Sequence, residues 1–187
     1  MDTLSQQLHG LKTADAHAIT LLEGLFAPVS FKRNWVLSQT TGMGAANLYY
    51  ITDGLLRGIV PGARVDHCLW MADGGFIVPG NGFLTGARTD EVVEVLADTE
   101  GFALNLLRAD TLARNHIHLY RMLLEIYEAA LLEGRRREVM LRMKTAQERY
   151  GFFCRHYPNL QRRATDEQQA QYLHIERKYF YSIKRKV

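Results

Sequence analysis

The apolar residues of the chain follow different spacings in different zones. The first zone, residues 3 to 26, has helical spacing. Its apolar residues are Leu4, Leu8, Leu11, Ile19, Leu22, Leu25 and Phe26, and a polar stretch from Thr13 to His17 divides them into two groups. This zone predicts a pair of short helices.

From about Val29 to Leu107 the apolar runs are short and glycine separates them. The runs are Trp35 to Leu37, Leu48 to Thr52, Leu55 to Val60, Val65 to Met71, Phe76 to Val78, Val92 to Leu96 and Phe102 to Leu106. The separators include Thr41-Gly42, Asp53-Gly54, Pro61-Gly62, Asp73-Gly74-Gly75 and Pro79-Gly80-Asn81-Gly82. Asp53-Gly54 predicts a β-hairpin, because glycine accepts the positive φ that a tight turn needs. Short strands at this spacing predict an antiparallel sandwich or barrel.

Helical spacing returns from Ala109 to about Arg142 and predicts one long helix. Its apolar side is broad enough to pack on the barrel and on a second copy of the chain. The run Arg135-Arg136-Arg137 interrupts that side. These arginines either form a solvated face or pair with acidic groups of a partner chain.

The last 23 residues, Thr165 to Val187, predict two short helices joined by a tight turn. Thr165 and Gln168 form a capping-box pattern where the first helix begins. In the second helix Phe180 and Ile183 are three apart and can face inward, which leaves its cations and aromatic rings facing outward. A two-helix unit of this kind is typical of proteins that place side chains in a DNA major groove.

The charge of the chain is uneven. From Arg142 onward there are 11 Lys and Arg against 4 Asp and Glu, a net of +7, whereas residues 1 to 141 hold 12 against 16, a net of −4. A basic helix alone would fit a solvated face equally well. A basic end on an acidic body, however, indicates a nucleic-acid-binding region attached to a part that senses or assembles.

Composition and motifs limit the other functions. With 187 residues and 47% hydrophobic content the chain can form one average domain and a small one,. It has no apolar run of 18 residues, so we expect a soluble cytoplasmic protein with no membrane partner. Cys68 and Cys154 are expected to be reduced. We expect no metal or cofactor, because two thiols are too few for an iron-sulfur cluster and neither His67-Cys68 nor His116-x-His118 has suitable geometry. We also expect no enzymatic activity, since no nucleophile motif is present.

In the order of these zones the chain resembles the Crp/Fnr family of bacterial transcription regulators over essentially its whole length. The matching stretches are Ala146 to Tyr150, Tyr157-Pro158, Ala170 to Ile183, and Leu48 to Arg57, which is similar to the family's early barrel hairpin. In particular, the chain is similar to the short Crp/Fnr-like regulators common in the Bacteroidetes.

The resemblance implies an α+β fold with three parts. Residues 1 to 108 would form N-terminal helices and an antiparallel β jelly roll of the cyclic-nucleotide-binding type, which acts as the sensor. Residues 109 to 143 would form a long connecting and dimerisation helix, and residues 144 to 187 a helix-turn-helix domain that binds DNA. The implied partners are double-stranded DNA and a second copy of the chain, with RNA polymerase as a further candidate and the effector unknown.

The resemblance also assigns residues to these contacts. The dimer contacts fall on Leu119, Met122, Leu123, Ile126 and Ala130. The base-reading positions correspond to Arg177, Lys178 and Ser182, and the remaining DNA-binding positions are Tyr179, Tyr181, Lys184, Arg185, Lys186 and Thr165. The target sequence cannot be inherited, because Lys178 and Ser182 depart from the family's usual Glu and Arg. His174 replaces the usual turn glycine, and Glu176 the usual capping Ser or Thr.

The family's nucleotide-binding members carry a phosphate cassette made of a Gly-Glu pair and, ten residues after that glutamate, an Arg-Ser or Arg-Thr pair. Anchored on Val93 to Thr99, the two pairs fall on Gly80-Asn81 and Glu91-Val92. An acid in place of the arginine would repel the phosphate, so we expect no binding of cyclic AMP. Arg88-Thr89, three positions earlier, is the alternative cassette if the loop length compensates. If neither cassette binds a cyclic nucleotide, the pocket of the roll binds another ligand or is filled by the protein's own side chains.

Three interpretations follow from the sequence. The favoured one is a dimeric DNA-binding regulator. The second is a ligand-binding or protein-interaction module derived from the same family, whose helix-turn-helix no longer reads DNA. The third, a jelly-roll enzyme, has the least support, because no His-x-His with a properly spaced Glu is present.

Overall fold

A computed structural model of the protein describes residues 3–38, 46–63, 65–80 and 82–185. The predicted Thr41-Gly42 separator, the cassette residue Asn81 and the DNA-contact candidate Lys186 lie outside these residues. Among the described residues, no helix has both the length and the apolar character needed to cross a membrane.

Helices begin and end the chain, and strands occupy its middle. The first two helices are α1 (Thr3–His9) and α2 (Ala16–Leu25), as the spacing predicts. The strands are β1 (Phe26–Phe31), β2 (Val36–Ser38), β3 (Asn47–Val60), β4 (His67–Ala72), β5 (Gly75–Ile77) and β6 (Val92–Asn105). The later helices are α3 (Leu106–Ala113), α4 (Ile117–Leu141), α5 (Ala146–His156), α6 (Pro158–Arg163), α7 (Asp166–Tyr172) and α8 (Arg177–Lys184).

The six strands form one antiparallel sheet in the order β1-β6-β3-β4, with β2 also paired to β6 and β5 to β3. The two long strands, β3 and β6, pair along most of their length, from Asn47↔Asn105 to Ile59↔Val92. The outer strands β1 and β4 do not pair with each other within the described residues, so the sheet curls into a roll without closing.

The hairpin predicted at Asp53-Gly54 is wrong, because both residues lie inside β3. The strand keeps β6 as its partner on both sides of them, and only the register shifts between Ile51 and Leu56. A Cβ at Gly54 would overlap the side chain of Thr99 on β6. The glycine therefore allows a close approach between strands in an irregular stretch, and does not form a turn.

The single helix predicted from Ala109 to about Arg142 is also wrong, because α3 and α4 are separate helices. The residues Arg114, Asn115 and His116 divide them. The apolar spacing continues across this break because both helices pack on one core, in which Ala109, Ala113 and Leu119 are fully buried.

Three apolar clusters hold the molecule together. The first joins the helices α1, α2, α3 and α4 to the roll. The second, around Ile51, Leu56 and Val93, fills the inside of the roll. The third runs from the C-terminal helices into the roll, where it includes Leu55 and Cys68. The terminal helices therefore share a core with the sheet.

Candidate nucleic-acid interface

The first helix of the terminal unit, α7, begins with the predicted capping box. The backbone N–H of Gln168 donates to Thr165 Oγ1 at 3.3 Å, and the backbone N–H of Thr165 donates to Gln168 Oε1 at 2.8 Å. Two of the backbone donors that a helix start leaves free are thereby satisfied, and α7 begins at a fixed residue.

The turn between α7 and α8 has no glycine, and His174 takes the left-handed backbone conformation with φ of 52°. This confirms the strain expected from replacing the usual glycine, which costs about 1 kcal/mol or more in such a conformation. Glu176 begins α8 without a side-chain cap. The buried residues on both sides of the turn, Leu173 and Ile175, hold it in place.

The second helix, α8, has one buried and one exposed side. Phe180 and Ile183 are buried as predicted, and the Phe180 ring meets that of Tyr150 edge-on, with centroids 5.3 Å apart. The exposed side, called here the reading face, consists of Arg177, Lys178, Tyr179, Tyr181, Ser182, Lys184 and Arg185. All seven are candidate DNA contacts from the sequence.

Two cations of the reading face already have anionic partners in the first turn of α7. Lys184 Nζ lies 2.5 Å from Asp166 Oδ1, and Arg177 Nη1 lies 3.6 Å from Glu167 Oε2. The hydrogen bond from Lys184 to Asp166 raises the pKa of the lysine. Lys178 and Arg185 have no ion-pair partner in the part of the chain that the structure describes.

The terminal unit is attached to the roll by polar contacts as well as by the shared core. Arg57 of β3 bonds to Glu94 on β6 at 2.7 Å and also donates to the Gln171 side chain on α7. Arg163, at the end of α6, pairs with Asp53 of β3 at 2.8 Å. The orientation of α7 and α8 is therefore fixed relative to the sheet.

Arg137 makes the contact that sequence reasoning missed. It neither faces solvent nor reaches toward a partner chain, the two options expected for the arginine run. Its Nη2 donates to the carbonyls of Cys68 at 2.6 Å and Tyr172 at 3.2 Å, and its guanidinium lies 4.9 Å from the centre of the Tyr172 ring. Because Arg137 directly follows two exposed arginines, the sequence does not distinguish it from them or predict these contacts.

Those residues of the assigned phosphate cassette that the structure describes do not converge on a cationic site. Glu91 is only 5% exposed, and its Oε1 accepts a bond from Trp70 Nε1 at 2.5 Å. A Cβ at Gly58 would overlap this pair, and a Cβ at Gly80 would overlap the Glu91 carboxylate. The backbone at Gly58 and Gly80 therefore packs directly against the side chains of Glu91 and Trp70, which occupy the space beside these two glycines.

The alternative cassette lies on the surface. Arg88 is exposed, and the Thr89 hydroxyl accepts the backbone N–H of Glu91 at 3.1 Å. Val92 begins β6 and is half-buried. Burial in the protein raises the pKa of Glu91, and the bond from Trp70 offsets part of that rise,.

The residues assigned to dimer contacts lie inside the chain's own core. Leu119, Met122, Leu123 and Ile126 are buried in the cluster shared with α1, α2 and α3, and Ala130 is half-buried. The exposed apolar side chains of α4 are different residues: Ile117, Tyr120, Leu124, Leu131, Leu132 and Val139. Any partner in contact with α4 would meet this second set.

Several solved structures with the same architecture are transcription regulators. FixK2 from Bradyrhizobium japonicum superimposes with a TM-score of 0.70 and 15% identity, over 86% of this chain and 83% of that one. The fold is that of the Crp/Fnr regulators. The c-di-GMP-responsive global regulator CLP from Xanthomonas campestris gives 0.65 and 16%, over 92% and 91% of the two chains. A CRP/FNR-family transcriptional regulator from Thermus thermophilus gives 0.58 and 19%, over 84% and 83%.

These likenesses confirm the α+β Crp/Fnr architecture expected from the sequence, with an antiparallel roll, flanking helices, a long helix and a terminal two-helix unit. No family model and no curated protein matches the sequence.

Proposed function

We propose that the protein is a Crp/Fnr-like transcription regulator that binds double-stranded DNA through the reading face. The observation that supports this best is α8, whose apolar side is buried while its cations and tyrosines face solvent at the end of a helix-turn-helix. The first residues of such a helix contact base edges, and Arg177 in the first turn can bind guanine with two parallel hydrogen bonds. In this proposal Tyr179, Tyr181, Lys184 and Arg185 contact phosphates.

The proposed regulator acts as a homodimer through α4. Ile117, Leu124 and Leu131 recur every seven residues and are 66%, 69% and 58% exposed. A seven-residue apolar repeat on an exposed helix is the pattern of a helix-helix seam. A symmetric dimer would present two copies of α8 to half-sites about one turn of DNA apart, or a multiple of that.

The proposed input is not cyclic AMP. The buried Glu91 and the half-buried Trp70 occupy the region that the family alignment assigns to the phosphate, and the carboxylate would repel it,. Isothermal titration with cyclic AMP tests this, and micromolar binding that Arg88→Ala abolishes would show that Arg88 serves as the cassette arginine.

In this proposal residues 1 to 108 form the sensor and residues 109 to 143 connect the two protomers. Residues 144 to 187 read DNA in the cytoplasm, and RNA polymerase is a further partner.

The decisive experiment is a gel-shift assay with DNA from upstream of the protein's own gene, repeated over a range of salt concentrations. Arg177→Ala is expected to lower the affinity for the specific site by about 1–3 kcal/mol, because one bidentate base contact is lost. Arg108→Ala, which removes an exposed arginine from α3, should bind like the wild type. Retention that is the same for every sequence and vanishes at moderate salt would favour the interaction-module interpretation.

A further inference from the structure

The carboxylates at the start of α7 lie against the cations of the reading face. The closer pair is Lys184 Nζ with Asp166 Oδ1 at 2.5 Å, between side chains that are 42% and 30% exposed. The Arg177–Glu167 pair is looser, at 3.6 Å, and is more exposed. Asp166 is therefore the anion that holds a reading-face cation most firmly.

We propose that Asp166 competes with DNA phosphate for Lys184 and so sets the strength of DNA binding. This inference rests on the proposed function. A carboxylate and a phosphate are both anionic acceptors, and an ammonium group binds either one as a point charge. When DNA arrives, Lys184 exchanges the carboxylate for a phosphate, and the freed Asp166 remains as a negative charge close to the DNA backbone.

A purely structural role for Asp166 predicts the opposite effect on binding. An acid in the first turn of a helix is favoured by the helix dipole, and the bond to Lys184 also ties α7 to α8,. If these were its only roles, removing the charge would loosen the unit and weaken DNA binding. The capping box of Thr165 and Gln168 already fixes the start of α7, so Asp166→Asn should leave the helix formed.

The test compares the wild type, Asp166→Asn and a matched control by fluorescence anisotropy with a labelled DNA duplex. The control is Asp98→Asn, which removes a carboxylate from another surface pair, Lys32–Asp98 at 3.0 Å on the roll. Asp98 also accepts the backbone N–H of Arg33 at 2.9 Å, and the asparagine oxygen can keep that bond. Both variants change the net charge by the same amount. The charge is removed close to the reading face in one variant and on the roll in the other.

Asp166→Asn is expected to bind duplex DNA about threefold more tightly at low salt, the effect of releasing an exposed ion pair. The slope of log affinity against log salt should become steeper by at most about 0.9, because the carboxylate no longer offsets the charge of Lys184 beside the DNA backbone. Asp98→Asn should match the wild type. In a Lys184→Met background the gain from Asp166→Asn should become clearly smaller, because the competition for Lys184 is absent and only the repulsion between the carboxylate and the DNA backbone is relieved.

Three outcomes would overturn the inference: weaker binding by Asp166→Asn, an equal gain in both aspartate variants, or a gain that is undiminished in the Lys184→Met background. If no variant binds DNA, the proposed function itself fails. Elution from heparin-agarose then still tests the inference, since heparin is a polyanion. Asp166→Asn should elute at higher salt than Asp98→Asn, and equal elution would refute the competition.

Discussion

A carboxylate inside a β-roll needs hydrogen-bond donors, and Glu91 obtains one from the indole of Trp70,. Two glycines, Gly58 and Gly80, leave room for this pair where any side chain would overlap it. The family alignment put an acid, Glu91, at the position of the cassette arginine, but it did not predict that Trp70 would be the hydrogen-bond partner. Trp70 lies 21 residues away on β4, and only the sheet brings the two together.

The burial of Glu91 should make the stability of the roll depend on pH. Its pKa is raised from the ordinary 4.5, so folding favours its protonated form. That stabilising contribution is fully present below pH 4.5 and is lost as the pH rises through the raised pKa. Glu91→Gln keeps an acceptor for Trp70 and removes the charge. Thermal unfolding should show the variant to be more stable than the wild type at pH 8 and nearly equal to it at pH 4.

The matched control for this experiment is Glu100→Gln on the exposed surface of β6, which should leave the pH profile unchanged. If Glu91→Gln followed the wild-type profile at every pH, the carboxylate would be ionised without cost, and its burial would have no influence on stability.

Among the secondary-structure elements, those fixed by local signals were predictable and those fixed by pairing were not. The capping box of Thr165 and the inward faces of Phe180 and Ile183 depend on residues a few positions apart, and the structure confirms them. By contrast, β3 and β6 are each one long strand where two short ones were expected. A strand continues through a glycine when its partner strand continues, and that partner is distant in sequence.

The attachment of the terminal helices to the roll depends on Arg137 of α4. Arg137→Ala would take the donor away from the carbonyls of Cys68 and Tyr172 and remove the guanidinium from the Tyr172 ring. We expect a loss of about 1–3 kcal/mol in the free energy of unfolding, the usual penalty for leaving buried polar groups without a partner. Urea denaturation followed by circular dichroism measures it.

Arg136→Ala is the control on the same helix, because Arg136 is exposed and pairs only with Glu133 among the described residues. Its effect should stay within about 0.5 kcal/mol. Equal losses in the two variants would mean that Arg137 contributes no more than a surface arginine.

For the whole molecule, α4 shows what spacing can and cannot reveal. The helix has apolar side chains on two faces, and the residues that the sequence assigned to a partner belong to the face buried in the chain's own core, such as Met122 and Ile126. Periodicity identifies an apolar face without stating which neighbour covers it. The face left exposed, which includes Ile117, Leu124 and Leu131, is known only once the fold is known.

Leu124→Glu should convert the proposed dimer into monomers. A charge in the middle of the exposed α4 face would have to be desolvated in any symmetric helix-helix contact. Sedimentation at micromolar concentration should give the 21.4 kDa monomer for the variant and twice that mass for the wild type. Thr20→Glu, on the exposed surface of α2, should remain dimeric, and a monomeric wild type would rule out the dimer.

The core shared between the terminal helices and the roll limits how this protein can be rearranged by evolution or by design. Leu55 and Met71 of the sheet contribute to the same cluster as Phe153 and Tyr172 of the terminal helices. Transplanting the terminal helices onto another roll would expose this apolar surface on both parts. A functional chimaera would therefore have to include the outer faces of β3 and β4 together with the helices. The part that must be transferred as one piece is larger than the helix-turn-helix.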